Sequence, residues 1–105
     1  MIQLTEETRA GWRVVTVSGR ADGEAADALE AALRAAVEAH ARVAADFASL
    51  GYISSAGLRA VLQAARAAQI RGSEFAVCGL SAPVRKVFDM SGLQHVLRIH
   101  GELPC

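Results

Sequence analysis

Residues 46–58 read DFASLGYISSAGL, a stretch in which the end of a strand, a loop and the start of a helix follow one another. The preceding segment, residues 42–47, has an apolar centre that is typical of a short strand. We predict a loop from Ser49 to Ser55 and then an amphipathic helix over residues 56–71. A serine immediately before a helix commonly accepts a hydrogen bond from one of its first free amides. On position alone, Ser55 is therefore predicted to be the N-cap of this helix.

The chain before this stretch predicts a hairpin and a crossover. Residues 2–5 and 12–17 have strand character and are separated by a turn signal at residues 10–11. A helix from Asp22 to about His40 follows, with Asp22 as its predicted N-cap and one apolar stripe. A strand, a helix and the strand at 42–47 together indicate a parallel crossover.

The chain after this stretch continues the alternation of strands and helices. Gly72 is predicted to end the helix, and residues 74–78 read as a further strand. Ser81 is predicted to cap a third helix that ends before Gly92, and residues 96–99 form a last short strand or helix. The predicted fold is α/β, a single domain over residues 1–105. Its sheet is mostly parallel, with an antiparallel edge hairpin and helices packed against it.

Composition limits the kinds of partner. The chain has 105 residues, with 11 lysines and arginines against 11 aspartates and glutamates. A net charge of zero argues against nonspecific binding to nucleic acid or to an anionic membrane. No apolar run approaches the ~18 residues that a membrane span needs, and residues 1–7 do not resemble a signal peptide. Two cysteines are too few for a disulfide scaffold, and Cys78 lies in an apolar run. We expect a cytoplasmic protein with reduced cysteines.

Signatures of catalysis are absent from the sequence. A serine hydrolase would need G-x-S-x-G, and this spacing fails at both Ser54 and Ser55. The sequence contains neither a phosphate-binding glycine loop nor cysteines and histidines at zinc-binding spacing. We therefore expect no catalytic residues, no metal site and no cofactor.

The stretch at 46–58 resembles the signature of the STAS-domain family, and specifically the bacterial anti-anti-sigma factors. The family pattern is D-[FL]-x-x-[LV]-x-[FY]-[IM]-[DS]-S-[SA]-G-L, flanked by a strand and a helix. Residues 19–22 and 78–93 resemble two further family segments, so the resemblance covers nearly the whole chain. The residues that match the central pattern are Asp46, Phe47, Leu50, Tyr52, Ile53, Ser54, Ser55, Ala56, Gly57 and Leu58.

Two positions depart from the family pattern. Ser54 stands where many members have aspartate, and Ala21 stands where leucine is usual. The first departure removes an acid beside Ser55 and adds a second hydroxyl, which makes Ser54 an alternative modification site. Serine also occurs at this position in the family, so the expected function is unchanged.

The resemblance implies a partner switch rather than an enzyme. It implies that Ser55 is phosphorylated by an anti-sigma factor that is also a serine kinase of the histidine-kinase ATPase type. The unmodified protein would bind this kinase and free a sigma factor, which it affects only indirectly. The phosphorylated protein would dissociate from the kinase, and a PP2C-type phosphatase would restore the unphosphorylated form. The alternative is a STAS scaffold or transporter-accessory domain that is not phosphorylated.

The residues around Ser55 are the candidate partner-binding surface, and each has a structural alternative. Ser54, Ala56 and Gly57 would leave room for a kinase, although small residues also permit close packing between a helix and a sheet. Arg59 lies at i+4 from Ser55 and could pair with an acidic partner or with the phosphate, or be an ordinary solvated arginine. Asp22 could contact the partner or act only as a helix cap.

Overall fold

A computed structural model describes residues 2–92 and 98–100 of the chain. The strands are β1 (Ile2–Arg9), β2 (Trp12–Ala21), β3 (Arg42–Asp46), β4 (Leu50–Ile53), β5 (Glu74–Cys78) and β6 (Arg98–His100). The helices are α1 (Ala26–Ala39), α2 (Ser55–Arg71) and α3 (Ala82–Ser91). The predicted α/β fold class is confirmed.

The edge hairpin forms where the sequence predicts it. Strands β1 and β2 pair antiparallel along their whole length, from Ile2 opposite Gly19 to Arg9 opposite Trp12. The two residues between them, Ala10 and Gly11, have φ angles of 52° and 84°. Positive φ at both central residues suits the right-handed twist of a two-residue hairpin.

The rest of the sheet is parallel. The strand order is β1-β2-β3-β5-β6, and β4 pairs with β2 off this path. Strand β3 pairs with β2 at residues 13–16, and β4 pairs with its end at residues 19–21, after an irregularity between Gly19 and Arg20. The predicted loop from Ser49 to Ser55 is therefore wrong, because it contains β4. A four-residue segment that includes a glycine has little strand character of its own, and the unpaired end of β2 supplies the hydrogen bonds that make it a strand.

The main core lies between the sheet and the helices. Helices α1 and α2 pack against each other and against the central strands. Their inward faces include Leu29, Leu33 and Val61, all fully buried. Helix α3 adds Phe88, whose ring meets that of Phe47 edge to face at 6.3 Å. The apolar faces predicted for α1 and α3 are confirmed, because each repeats at helical spacing. The face of α2 is displaced from the prediction, since Leu58 and Leu62 repeat at the same spacing but are only half-buried, and Ala60 and Ala64 are buried instead.

Several predicted boundaries shift. The N-cap of α1 is Ala25, three residues after the predicted cap Asp22, and α2 begins at Ser55, one residue before its predicted start. The C-caps of α2 and α3 are Gly72 and Gly92, both in the left-handed conformation, as predicted. Of the predicted last element at 96–99, residues 96 and 97 lie outside the described residues.

The predicted cap of α3 has a different bonding partner. Ser81 occupies the N-cap position, but its hydroxyl makes no cap hydrogen bond. It donates instead to the carbonyl of Leu50 at 2.7 Å, which ties the start of α3 to β4. The sequence predicts that the Ser81 hydroxyl caps α3. It bonds instead to β4, a strand that the sequence does not predict.

Cys78 is fully buried, as its apolar neighbours predict. Its sulfur lies 3.6 Å from the carbonyl oxygen of Ala45 in the neighbouring strand β3. Among the described helices, none is long and apolar enough to cross a membrane.

Candidate functional site

The serine pair divides into a cap and a free hydroxyl. Ser54 is the N-cap of α2, with an extended backbone (φ −87°, ψ 172°) and a hydroxyl that accepts from the amide of Gly57 at 3.1 Å. Its carbonyl accepts the first helical bond, from the amide of Leu58 at 2.9 Å. The prediction that Ser55 caps the helix is therefore wrong by one residue, because the extended conformation that a cap requires is held by Ser54.

Ser55 is the first helical residue and its side chain is exposed. Its hydroxyl makes no hydrogen bond with any described residue. The amides of Ser55 and Ala56 lie at the first two helical positions, where the helix offers no acceptor. An anion attached to Ser55 would therefore meet unpaired amides and the positive end of the helix dipole.

The end of β2 fixes where α2 begins. The amide of Ser54 donates to the carbonyl of Ala21 at 2.9 Å, and Ala21 is fully buried. A Cβ atom on Gly57 would come within 2.8 Å of that same carbonyl oxygen and of Ile53 Cγ1. Gly57 is buried, so what it contributes to the site is close packing between α2 and β2. Of the two explanations left open for this glycine, the structure supports packing.

Asp22 lies beside the serines but does not cap α1. Its carboxylate oxygen Oδ1 accepts from the amide of Ala25 at 3.0 Å, and its carbonyl accepts from the same amide at 3.1 Å. The N-cap position belongs to Ala25, which makes no side-chain cap bond. Asp22 therefore closes the turn that precedes α1, and it follows directly after the residue that binds Ser54.

A groove runs from Ser55 along α2. It has a volume of about 240 Å³ and is lined by Ser55, Leu58, Arg59, Leu62 and Ser91. The two leucines are half-buried and form its apolar part, while Arg59 and Ser55 are exposed. The structure therefore brings together Ser55 and Arg59, which the sequence predicts to share a helix face. Ala56 is exposed beside them.

Two surface residues near the site are missed by the sequence analysis. The guanidinium of Arg20 lies over the ring of Tyr52 at 4.3 Å, and the two residues are register partners in β2 and β4. Tyr52 keeps 39% of its surface exposed, although it is a large aromatic residue. Without β4 there is no reason to pair these residues. An arginine at the end of β2 and a tyrosine just before the serines are the signals that could have suggested them.

This arrangement suits binding and modification by another protein. Within the described residues, no group of three or more histidines, cysteines or acids could hold a metal ion. An exposed hydroxyl with no hydrogen bond at a helix N-terminus can accept a group that another protein transfers. The groove beside it offers apolar contact and a positive charge.

Comparison with known proteins decides the family. A family model described as "Mlab, STAS domain" matches residues 5–99 of this chain. The chain belongs to the STAS-domain family. The resemblance inferred from residues 46–58 is thus confirmed over nearly the whole STAS chain.

Three known proteins show how similar this chain is to other members in sequence and in structure. A Bordetella bronchiseptica protein named as an anti-sigma factor antagonist, BtrV, is 35% identical over 99 residues, covering 93% of this chain and 85% of its own length. The crystal structure of an anti-sigma factor antagonist from Mycobacterium paratuberculosis has a TM-score of 0.88 at 25% identity, covering 98% of this chain and 88% of that one. The Bacillus cell fate determinant SpoIIAA in its phosphorylated form has a TM-score of 0.70 at 26% identity, covering 97% and 93%.

Proposed function

We propose that this STAS domain is an anti-sigma factor antagonist that is switched by phosphorylation of Ser55. In its unphosphorylated form it binds an anti-sigma factor that is also a serine kinase of the histidine-kinase ATPase type, and a sigma factor is released. Phosphorylation of Ser55 releases the kinase, and a PP2C-type phosphatase restores the binding form. The domain itself is no enzyme in this scheme, and the switch operates in the cytoplasm, where sigma factors act.

The observation that carries the proposal is the free, exposed hydroxyl of Ser55 at the start of α2. Ser54, the alternative site, already uses its hydroxyl to cap the helix at Gly57. A kinase would meet the Ser54 oxygen already engaged with the Gly57 amide, whereas modifying Ser55 disturbs no hydrogen bond among the described residues. Support also comes from relatives whose names describe anti-sigma factor antagonists, one of them in a phosphorylated form.

The switch needs no refolding. A phosphoserine carries about −1.5 to −2 charges near neutral pH. The helix N-terminus stabilises such an anion by roughly 0.3–1 kcal/mol, so the fold tolerates it. Against a partner, by contrast, burial of an unpaired dianion costs several kcal/mol. Because each ~1.4 kcal/mol is tenfold in affinity, a loss of a hundredfold or more follows.

The test is capture of partners from lysate of the source cells, with four baits. These are the wild type, Ser55→Ala, Ser55→Asp, and a matched control, Thr5→Asp, which adds the same charge on the exposed edge strand β1. Captured proteins are identified by mass spectrometry, and affinities are then measured for protein carrying genetically encoded phosphoserine at position 55. We expect the wild type, Ser55→Ala and Thr5→Asp to retain a serine kinase. Ser55→Asp should weaken capture at least tenfold, and phosphoserine at least a hundredfold.

The alternative function gives a different result. A STAS scaffold or transporter-accessory domain would use the same surface without modification of Ser55. Equal capture of one protein by all four baits, or capture of a transporter subunit, would favour that function and contradict the switch. A fifth bait, Ser54→Asp, tests the alternative site: loss of kinase binding on Ser54→Asp but not on Ser55→Asp would move the modification to Ser54.

A further inference from the structure

The zero net charge of the chain conceals an uneven distribution. Residues 22–39, which include α1, contain five carboxylates and one arginine. Helix α2, residues 55–71, contains three arginines and no carboxylate. The two helices lie side by side. The surface of α2 is therefore positive although the molecule is neutral.

The exposed side of α2 forms one continuous stripe. Its members recur at spacings of three and four residues and so share one helix face. We call this set the α2 stripe: Ser55, Leu58, Arg59, Leu62, Arg66 and Ile70. The buried residues of the helix, Gly57, Ala60, Val61, Ala64 and Ala68, lie on the opposite side. At 1.5 Å per residue the stripe is about 22 Å long, and its two arginines are about 10 Å apart along the axis.

Two features of the stripe indicate a partner. Arg59 and Arg66 make no ion pair with any described residue, whereas Arg34 of α1 pairs with Glu30 at 3.4 Å. Ile70 is 86% exposed, an unusual environment for a large apolar side chain. The stripe thus combines unpaired positive charge with accessible apolar surface from its first turn to its last.

We infer that the α2 stripe is the docking surface for the kinase, and that the kinase presents an acidic surface with an apolar ridge beside its carboxylates. The inference rests on the proposed function and extends the interface from Ser55 to Ile70. Leu58 and Leu62 contact the apolar ridge, and Arg59 and Arg66, which both lie on the same side of the leucines, pair with carboxylates along that side of it. Complementary charge of this kind sets partner choice and speeds association.

An acidic partner explains the sign of the switch. Phosphate on Ser55 adds about two negative charges at one end of a stripe that has no carboxylate of its own. The phosphate then faces the carboxylates of the kinase and competes with them for Arg59 at i+4. Both effects are electrostatic, so the difference in affinity between Ser55 and phospho-Ser55 protein should shrink as salt rises.

The test measures affinity for the kinase captured by the wild-type bait, at 50 mM and 500 mM salt. The doubly charge-reversed variant Arg59→Glu, Arg66→Glu should lose about a hundredfold at low salt, because it places like charges across the interface. Arg85→Glu is the matched control: an exposed arginine of α3 that does not line the groove, and its affinity should change less than threefold. Ile70→Ser should lose about fivefold. Urea unfolding confirms that each variant is folded.

Failure of the inference and failure of the proposed function are separable. A kinase that Ser55→Asp releases but that binds the charge-reversed protein at full affinity would overturn the stripe and leave the switch intact. A ratio of Ser55 to phospho-Ser55 affinities that is the same at both salt concentrations would also overturn it. If the wild type captures no kinase, the proposed function fails. A peptide titration then tests separately whether the α2 stripe binds an acidic helix.

The titration uses two four-turn helical peptides with leucine on one face, flanked by glutamates in one and by lysines in the other. Only the acidic peptide should shift the backbone amide resonances along residues 55–70. Equal shifts with both peptides, or none with either, would contradict an acidic partner.

Sedimentation of the protein alone tests the remaining possibility, which is that a second copy of this chain occupies the α2 stripe. Self-association that Arg59→Glu, Arg66→Glu abolishes would assign the stripe to the acidic face of a second copy and overturn the inference.

Discussion

Helices α1 and α2 are neighbours that have similar buried faces and different N-termini. Both are rich in alanine and bury one side against the sheet and against each other. At the N-cap of α1 stands Ala25, in a helical conformation and without a side-chain cap bond. At the N-cap of α2 stands Ser54, extended and bonded to Gly57. Only α2 begins with a cap that leaves the next hydroxyl free.

Their exposed sides differ as well. Helix α1 exposes carboxylates, and α2 exposes arginines and an isoleucine. The inward faces fix the fold in both helices, and exposed residues can change without cost to it. Two helices with similar buried faces thus differ in how their starts are held and in the charge that they expose. The proposed partner surface lies on α2, whose start is bonded to the end of β2.

The largest expected effect comes from removing that anchor. In Gly57→Ala, the new Cβ would meet the carbonyl oxygen of Ala21, a backbone atom that cannot move aside, at 2.8 Å. Overpacking of this kind costs about 3 kcal/mol, and the gain in helix propensity returns about 1 kcal/mol. We expect the free energy of unfolding in urea to fall by about 2 kcal/mol.

The matched control for Gly57→Ala lies in the turn before α1. A Cβ on Gly23 would meet nothing within 4 Å, and its backbone is outside the left-handed region. Gly23→Ala should leave stability unchanged or raise it by up to about 1 kcal/mol. Equal losses in the two variants would mean that α2 is no more tightly anchored than α1.

The serine pair gives the next largest effect. Ser54→Ala removes the hydrogen bond to the Gly57 amide and should lower the free energy of unfolding by about 1 kcal/mol. Ser54→Asp keeps an acceptor there and should be close to wild type. Ser55→Ala removes a hydroxyl with no bonding partner among the described residues, so the change should stay within about 0.5 kcal/mol. A larger loss for Ser55→Ala than for Ser54→Ala, measured in the same urea titration, would reverse the assignment of cap and free hydroxyl.

The smallest effect is expected at the beginning of α1. Asp22→Ala removes the 3.0 Å bond to the Ala25 amide, but the carbonyl of Asp22 still accepts from that amide. The loss should therefore be about 0.5 kcal/mol, at the low end for a hydrogen bond. Asp22→Asn, which keeps the acceptor, serves as the control. A loss for Asp22→Ala equal to that for Ser54→Ala would show that the two helix starts are held equally.

The sequence alone comes close to the site and misses how it is assembled. Its spacing brings Ser55 and Arg59 to one helix face, and the structure places both in one groove. It assigns the cap to Ser55 because either serine fits the residue preference, and only the backbone angles separate them. It also misses β4, and with it the contact between Arg20 and Tyr52 and the bond from Ser81 to Leu50.

Sequence alone is enough for the order of the elements other than β4, for the buried faces of α1 and α3, and for the family. These follow from apolar spacing and from the pattern at residues 46–58, which are local properties of the chain. Tertiary contacts are needed to make β4 a strand, to exclude a side chain at Gly57 and to place the cap of α2 at Ser54 rather than Ser55. All three depend on the end of β2, whose carbonyl at Ala21 binds Ser54 and blocks a Cβ on Gly57. That strand end lies more than thirty residues away in the chain, beyond the reach of any local pattern.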